Sequence, residues 1–304
     1  MTGLFYYSMI LLSVFILQIS CFQQGFGGNL IYKFNRYKSA VRAATDEFNS
    51  AISLSVATVK EEVKNGPIPS KHREFRINGW RWHTLCVLRD LERFEKVIQI
   101  EKDNISKKNL IDNSDRDIKQ NELTQRLIGC HSFVCNFNWK GLMRVEKDIF
   151  FPWLSDILPL QSKILAREFE VSHKEIVRLS NQLLSECRQV KYGDINSYDT
   201  PLLTLQEMKY VLKRSRKLQE EVFVPFIASH VNTRDQEVFN RRVIKKLGLL
   251  ESQIHLVGMQ EITSKQKNEA ILFKKQIPRM IRSMIPVWRS TVYAKLSVYL
   301  DVER

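Results

Sequence analysis

Apolar residues recur at helical spacing over most of the chain beyond residue 40. Residues three, four or seven positions apart lie on one face of an α-helix, so this spacing predicts amphipathic helices. One predicted helix covers residues 41–63 and ends at the turn Gly66-Pro67, because proline cannot continue the hydrogen-bond ladder. Another covers residues 80–100, where one histidine and four apolar residues share a stripe: His83, Val87, Leu91, Phe94 and Ile98. No segment shows the strict alternation that is typical of a half-buried strand.

A polar stretch over residues 103–120 follows, and we interpret it as a long exposed connection. The next predicted helix runs from Leu123 to Phe151, and we expect Pro152 to end it. Ser172, with Glu175 three residues later, has the pattern of a capping box and predicts the start of a third helix there.

Asp199-Thr200-Pro201 predicts the start of a fourth helix, which continues to about Val224. Beyond it, Asn232-Thr233 has the residues of a helix N-cap, and the helix it opens is predicted to end before Gly248. Residues 276–289 mix apolar side chains, arginines and two prolines, so we expect short, broken helices there.

Two similar runs lie in the two halves of the central region, residues 146–152 and 219–225. Each contains an acidic helical turn, large apolar residues and a proline, and each follows a histidine, His83 before the first and His173 before the second. This order resembles the hemerythrin-like family, whose four-helix bundle holds iron between histidines and carboxylates. The resemblance implies an all-α, up-down-up-down four-helix bundle with an N-terminal helix and a C-terminal helical extension.

The sequence pattern and the resemblance together divide the chain into four parts. Residues 1–32 would be a hydrophobic anchor or targeting segment, residues 33–79 a helix and proline-containing linker, residues 80–228 the bundle, and residues 229–304 a basic helical extension.

In that family each half supplies one histidine from one helix and a His-x-x-x-Glu pair from the next. Positions i and i+4 point the same way, so both side chains of the pair can reach one metal. His83 and His173 match the single histidines, and Glu146 matches the first carboxylate. The resemblance therefore implies a residual metal site made of these three residues, with iron as the metal.

Other positions depart from the family pattern. Leu142 and Ser215 stand where the paired histidines are expected, and Gln219 stands at the second carboxylate; a one-residue shift would offer Arg216 and Glu220 instead. Leucine cannot ligate iron, and Ser and Gln are poor replacements for imidazole and carboxylate. We therefore expect a degenerate site, with a metal-free polar core as the leading interpretation.

If Glu146 is buried without a metal, its charge needs a compensating partner. The sequence offers Arg144 and Arg216 as candidates by position. A second metal proposal, zinc at His131 and Cys135, lacks two ligands of a tetrahedral site, so core packing is favoured for these side chains and for Cys130. No catalytic signature occurs, so we expect no catalytic or cofactor-binding residues and no enzyme activity.

The chain has a net charge of +14 and a pI near 9.6. This charge is compatible with an anionic membrane surface, an acidic protein or nucleic acid, but no nucleic-acid-reading motif accompanies it. Arginines at positions 279, 282 and 289 flank apolar residues that would either meet an anionic lipid surface or cap the bundle. The opening segment, residues 4–22, is apolar and long enough to span a bilayer.

A retained membrane anchor, a cleaved signal or organelle-targeting sequence, and a buried helix of a cytoplasmic protein are the three interpretations of that segment. The function expected from the whole sequence is a structural or interaction module with an unknown protein partner. The alternative is a protein that binds iron or another metal through a reduced ligand set, for oxygen or iron sensing or storage.

Overall fold

The computed structural model describes residues 56–57, 59–61, 74–107 and 116–301, without the side chains of six of them, Ser106, Lys107, Leu160, Gln161, Leu249 and Leu250. The described residues of 74–107 and 116–301 form eleven α-helices: α1 Asn78–Lys107, α2 Arg116–His131, α3 Lys140–Val145, α4 Phe151–Ile157, α5 Pro159–Gln189, α6 Asp199–Leu218, α7 Val224–His230, α8 Thr233–Thr263, α9 Lys267–Gln276, α10 Arg279–Trp288 and α11 Ala294–Ser297. Four π-helical segments lie between them: π1 Ser132–Trp139, π2 Glu146–Phe150, π3 Gln219–Phe223 and π4 Arg289–Tyr293. Two 3₁₀ turns, Ile195–Tyr198 and Val298–Leu300, complete these elements, and no strand occurs in the described ranges. The prediction of an all-α protein is confirmed.

The apolar stripe of α1 is buried as its spacing predicts. His83, Val87, Leu91, Phe94 and Ile98 are all at most 2% exposed. The helix continues to Lys107 and α2 begins at Arg116, so helical turns occupy both ends of the stretch that we interpreted as a long connection.

The helical backbone continues through both prolines of the repeat, which corrects the prediction that Pro152 ends a helix. The amide of Phe151 donates to the carbonyl of Glu146, a π-type bond, and Pro152 then lies in the first turn of α4. Proline has no N–H to donate, and it is tolerated in a first helical turn, so the π turn places it where its missing donor costs least. The second copy repeats this geometry, because the amide of Val224 donates to the carbonyl of Gln219 and α7 continues to His230.

The third helix begins earlier than its capping pattern predicts. α5 starts at Pro159, directly after the non-helical Leu158, and Ser172 lies in the middle of the helix. The Ser172 hydroxyl donates to the carbonyl of Glu168 at 3.2 Å, a local bond that serines make inside helices. The N-cap prediction for Ser172 was therefore wrong, whereas the predicted start of α6 at Asp199 is confirmed.

Four helical segments pack side by side. α1 contacts α6 and π1, and α5 contacts α6 as well as α2 and α4. Each segment, with the continuous run from α2 to α4 counted as one, therefore touches two neighbours. Their facing sides form the apolar core.

The C-terminal extension packs on α1. α8 lies along α1 and also contacts α3 and π2, while α9, α10 and π4 contact α8. Asn232 caps α8 as predicted, since its Oδ1 accepts a hydrogen bond from the Asp235 amide at 2.9 Å. The backbone kinks at Gly248, whose φ of +74° suits glycine, and helix resumes after it.

The short helices after α8 confirm the expected broken structure. In α10, Ile285 is fully buried, whereas Met280, Met284 and Val287 are exposed. The apolar residues of this segment therefore divide between the core and the surface.

Across the described residues, no helix combines the length and apolar content that a membrane span needs. The apolar segment at residues 4–22 and most of the helix predicted over residues 41–63 lie outside the described residues.

Candidate functional site

Glu146 is the centre of a buried polar cluster. It lies in π2 and is only 2% exposed, yet both of its carboxylate oxygens accept hydrogen bonds. Trp80 Nε1 of α1 donates to Oε1 at 2.8 Å, and His173 Nε2 of α5 lies 2.6 Å from Oε2. The carboxylate thus joins three helical segments that are distant in sequence.

These two contacts compensate the buried carboxylate. A carboxylate taken out of water is costly unless it is hydrogen-bonded or paired, and the histidine and indole supply both donors. The arginines proposed for this role do not fill it, because Arg144 pairs with Glu251 and Arg216 is exposed. The expectation of an arginine partner for Glu146 was wrong.

Aromatic rings enclose the cluster. Trp80 stacks on Phe150 with ring centroids 4.3 Å apart, and Trp139 meets His173 edge-on at 5.5 Å. Phe150 and Phe223 occupy the same position in the two repeats, and their ring centroids are 6.2 Å apart. The two Phe-Pro runs therefore meet in the core beside Glu146.

His83 lies in a different environment from His173. Its ring lies against His255 of α8, with centroids 4.1 Å apart and an interplanar angle of 45°. A Cβ on Gly141 would lie 2.6 Å from His255 Nε2, so the glycine makes room for this second imidazole. No hydrogen-bond partner is found within the described residues for His83 Nε2 or for either ring nitrogen of His255.

Both imidazoles are held in the neutral form. Burial lowers the pKa of His83 to about 4, against a hydrogen bond to the Asn138 backbone that raises it. Burial also lowers the pKa of His255 well below its ordinary value, and the nearby His83 and Arg144 act in the same direction. The pair is therefore a neutral, packed contact between α1 and α8 at physiological pH.

Of the three residues implied as metal ligands, the structure brings two into contact. Glu146 and His173 touch, while His83 lies against His255. Within the described ranges, no three His, Cys, Asp or Glu side chains form a group that could hold a metal ion. The three-residue metal site remains a prediction.

The remaining ligand positions of the family pattern are buried around the same cluster. Leu142, Ser215 and Gln219 are between 1% and 6% exposed. Neither Ser215 Oγ nor the Gln219 side-chain amide has a hydrogen-bond partner among the described residues. A cavity of about 10 Å³ remains, which is room for about one water molecule. Its lining comprises Thr84, Trp139, Leu142, Glu146, Phe169, His173, Leu212 and Ser215.

The side chains considered for zinc are core residues. Cys130 and Cys135 are buried, and burial raises the pKa of each thiol to about 12, so both are protonated at neutral pH. His131 Nε2 lies 2.9 Å from the carbonyl of Ser180, and Cys130 Sγ donates to the carbonyl of Tyr299 at 3.1 Å. The packing role favoured by the sequence agrees with these contacts.

A second buried polar cluster fastens the extension to α1. Asp90, fully buried, accepts hydrogen bonds from Asn138 Nδ2 at 2.6 Å and Arg89 Nε at 2.8 Å. Arg89 also donates to the Tyr293 hydroxyl of π4 at 2.7 Å and to Glu261 of α8 at 2.9 Å. Burial raises the pKa of Tyr293 well above its ordinary value, so its hydroxyl remains able to donate to Glu261.

Sequence reasoning missed Trp80, His255 and Asp90. Trp80 precedes His83 by three positions on the same helix, a spacing that places both on one face. His255 and Asp90 are polar residues at positions of an apolar stripe, which is the available signal that they are buried.

Comparison of the chain with protein-family models, with curated protein sequences and with solved structures found no significant match. The resemblance to the hemerythrin-like family thus depends on the repeated runs and the residues named above.

Proposed function

We propose that this chain is a hemerythrin-like helical scaffold in which a Trp80–Glu146–His173 cluster occupies the place of a metal centre. Such a scaffold has a structural role or binds a protein partner. The observation that carries the proposal is that both oxygens of Glu146 are already engaged by an indole and an imidazole. A cavity of about 10 Å³ beside the carboxylate also leaves no space for a substrate.

The four-helix bundle is part of this proposal. Support comes from the packing of α1, the α2–α4 run, α5 and α6, each against two neighbours. Further support comes from the repeated π turns before Pro152 and Pro225, which give the two halves the same backbone geometry.

The residues present do not fit a two-iron centre. Such a centre needs imidazoles and carboxylates from all four helices, and Leu142, Ser215 and Gln219 supply none. The His173 nitrogen that faces the cluster is directed at Glu146. We therefore derive no iron chemistry or oxygen binding from this site.

A second candidate function is binding of a single metal by a reduced ligand set. The contact between Glu146 and His173 favours it, because a carboxylate and an imidazole 2.6 Å apart are a pair that a divalent metal can use. His83 would have to leave His255 to join them.

Metal analysis of the purified full-length chain separates the two candidates. After expression with iron present, we expect less than one iron per chain and no absorption from an oxo-bridged pair. One tightly bound metal that is lost in both Glu146→Gln and His173→Gln would favour the second candidate. Two tightly bound irons would contradict the scaffold proposal.

A gain-of-function variant tests the inferred register. The triple variant Leu142→His, Ser215→His, Gln219→Glu rebuilds both i, i+4 ligand pairs, so iron binding should rise. The matched control is Val171→His, Ser185→His, Gln125→Glu, which places the same side chains on exposed helix positions. Equal iron binding by both triple variants would contradict the register.

Membrane tethering through residues 4–22 is also part of the proposal, with cleavage after targeting as the alternative. Support comes from the apolar length of that segment and the basic residues that follow it. Removal of residues 1–22 should release the protein from alkali-washed membranes. A full-length chain that stays in the soluble fraction with its amino terminus intact would contradict tethering.

A further inference from the structure

A second cavity lies at the junction of α1, α8 and the C-terminal segment, away from Glu146. Its volume is about 580 Å³, within the range of small-molecule binding sites. The charged side chains of its lining are those of Arg89, Arg93, Lys265, Arg289, Glu261 and Asp301. Four of these side chains are basic and two are acidic.

A network of hydrogen bonds forms the floor of this cavity. Arg89 is held by Asp90, Glu261 and Tyr293, and Asp90 is held in turn by Asn138. These residues come from four different segments of the chain, so the hydrogen bonds fix the segments relative to one another. A ligand entering here would meet a preformed surface rather than order a loose one.

Three basic side chains of the lining retain donors for a ligand. The contact of Arg93 with Asp90 is long, at 3.5 Å, and Arg93 remains 30% exposed. Arg289 lies 3.6 Å from Glu261 and donates to Gln260, while about half of its side chain is exposed. Lys265 is exposed, and no ion pair is recorded for it within the described residues.

One of the two acids of the lining already has partners. Glu261 is already held by Arg89 at 2.9 Å and accepts the Tyr293 hydroxyl at 3.2 Å. Two guanidinium groups and an ammonium group thus share one cavity with donors to spare. Guanidinium forks match the paired oxygens of phosphate, and the lysine adds a compact charge.

We propose that this cavity binds a phosphate-bearing anion through Arg93, Lys265 and Arg289. The ligand is either a soluble phosphomonoester or the headgroup of a phosphomonoester lipid. The site is independent of the polar cluster at Glu146.

The test uses the full-length chain and three probes at constant ionic strength, because exposed charges are screened by salt. The probes are inorganic phosphate, followed by phosphorus NMR line width, and glycerol phosphate and dioctanoyl phosphatidic acid, followed by calorimetry. We expect saturable binding of at least one probe. Similar affinity for the two organic probes would identify a soluble ligand, whereas much tighter binding of the lipid would identify a headgroup.

Variants locate the binding. Arg93→Gln, Lys265→Gln, Arg289→Gln should weaken binding on the order of tenfold or more. The control Arg241→Gln, Arg242→Gln, Lys245→Gln removes the same charges from exposed positions of α8 and should bind as the unmodified chain does. Thermal melts check that each variant folds, and Lys265→Gln alone, at an exposed position, provides a mild variant if the triple one does not.

Two results would overturn the proposal. One is the absence of saturable binding of any probe to the unmodified chain. The other is an equal loss of binding in the cavity variants and the α8 control, since that would show a diffuse response to net charge rather than a site.

Discussion

The two copies of the repeat share a backbone but not their chemistry. In each copy a π turn precedes a proline that lies in the first turn of the next helix. In the first copy, Glu146 is hydrogen-bonded at both oxygens. In the second, the Gln219 side chain is equally buried, yet its amide has no partner among the described residues.

The two histidines that precede the runs also have equivalent positions but different contacts. His173 pairs with Glu146, whereas His83 turns to His255 of the extension. The two copies therefore share apolar packing and π turns, whereas their polar side chains make different contacts. The contact between Glu146 and His173 joins the two halves at the centre of the bundle, whereas the contact between His83 and His255 joins the first half to the extension.

The largest expected effect comes from a second carboxylate in the first copy. Leu142 is 1% exposed and lines the cavity beside Glu146. Leu142→Asp would bury an uncompensated charge next to an existing one, and we expect a loss of about 3–5 kcal/mol in unfolding free energy. Urea denaturation measures it, with Val171→Asp at an exposed position of α5 as control. An unchanged midpoint for Leu142→Asp would contradict the helical register.

Gln219→Glu tests whether the second copy can hold an acid as the first does. If an equivalent indole and imidazole were available, the carboxylate would be accommodated. Because the amide has no such partner, we expect a loss of about 2–4 kcal/mol at neutral pH, which shrinks as acid neutralises the new carboxyl group. Gln125→Glu, at an exposed position, should change stability by less than about 0.5 kcal/mol. Equal effects of the two changes would show that the halves are chemically equivalent.

Local signals predicted much of this fold. The stripe of α1, the start of α6 and the Asn232 cap follow from side-chain periodicity and capping chemistry, which neighbouring residues decide. The start of α5 did not follow, because the capping pattern at Ser172 is equally compatible with a hydroxyl bonded inside a helix. The prediction that Pro152 ends a helix was wrong because the π turn that accommodates this proline has no simple sequence signature.

The site was predictable only in part, for a similar reason. The resemblance implied that Glu146 and His173 share one site, and they do meet. The resemblance also placed His83 in that site. Whether His83 lies beside Glu146 or beside His255 depends on how α8 packs on α1. Docking is a tertiary property that the pattern of α1 alone does not contain.

Acid should lower the free energy of unfolding, because it protonates the buried imidazoles that pack α8 on α1. The pKa of His83 is about 4 in the folded chain and near 6.5 when unfolded, so the unfolded state binds more protons between these values. The contribution of His83 to the free energy of unfolding is therefore constant above pH 6.5. It falls as pH drops towards 4, by roughly 3 kcal/mol for His83 alone. His83→Gln should flatten this part of the pH dependence, because glutamine takes up no proton in this range. Equal pH profiles for the unmodified chain and His83→Gln would contradict a neutral buried His83.

The smallest expected effect comes from added side-chain volume, rather than charge, at the contact between His83 and His255. Gly141→Ala would place a Cβ 2.6 Å from Nε2 and 2.9 Å from Cε1 of His255, so the imidazole must move although it is fully enclosed. Overpacking of this kind costs about 1–3 kcal/mol, offset in part by the higher helix propensity of alanine. Gly79→Ala is the matched control, because a Cβ there meets nothing within 4 Å, and it should be neutral or stabilise by a few tenths of a kcal/mol. If Gly141→Ala is as stable as Gly79→Ala, His255 is free to move, and the contact between His83 and His255 does not fix α8 on α1.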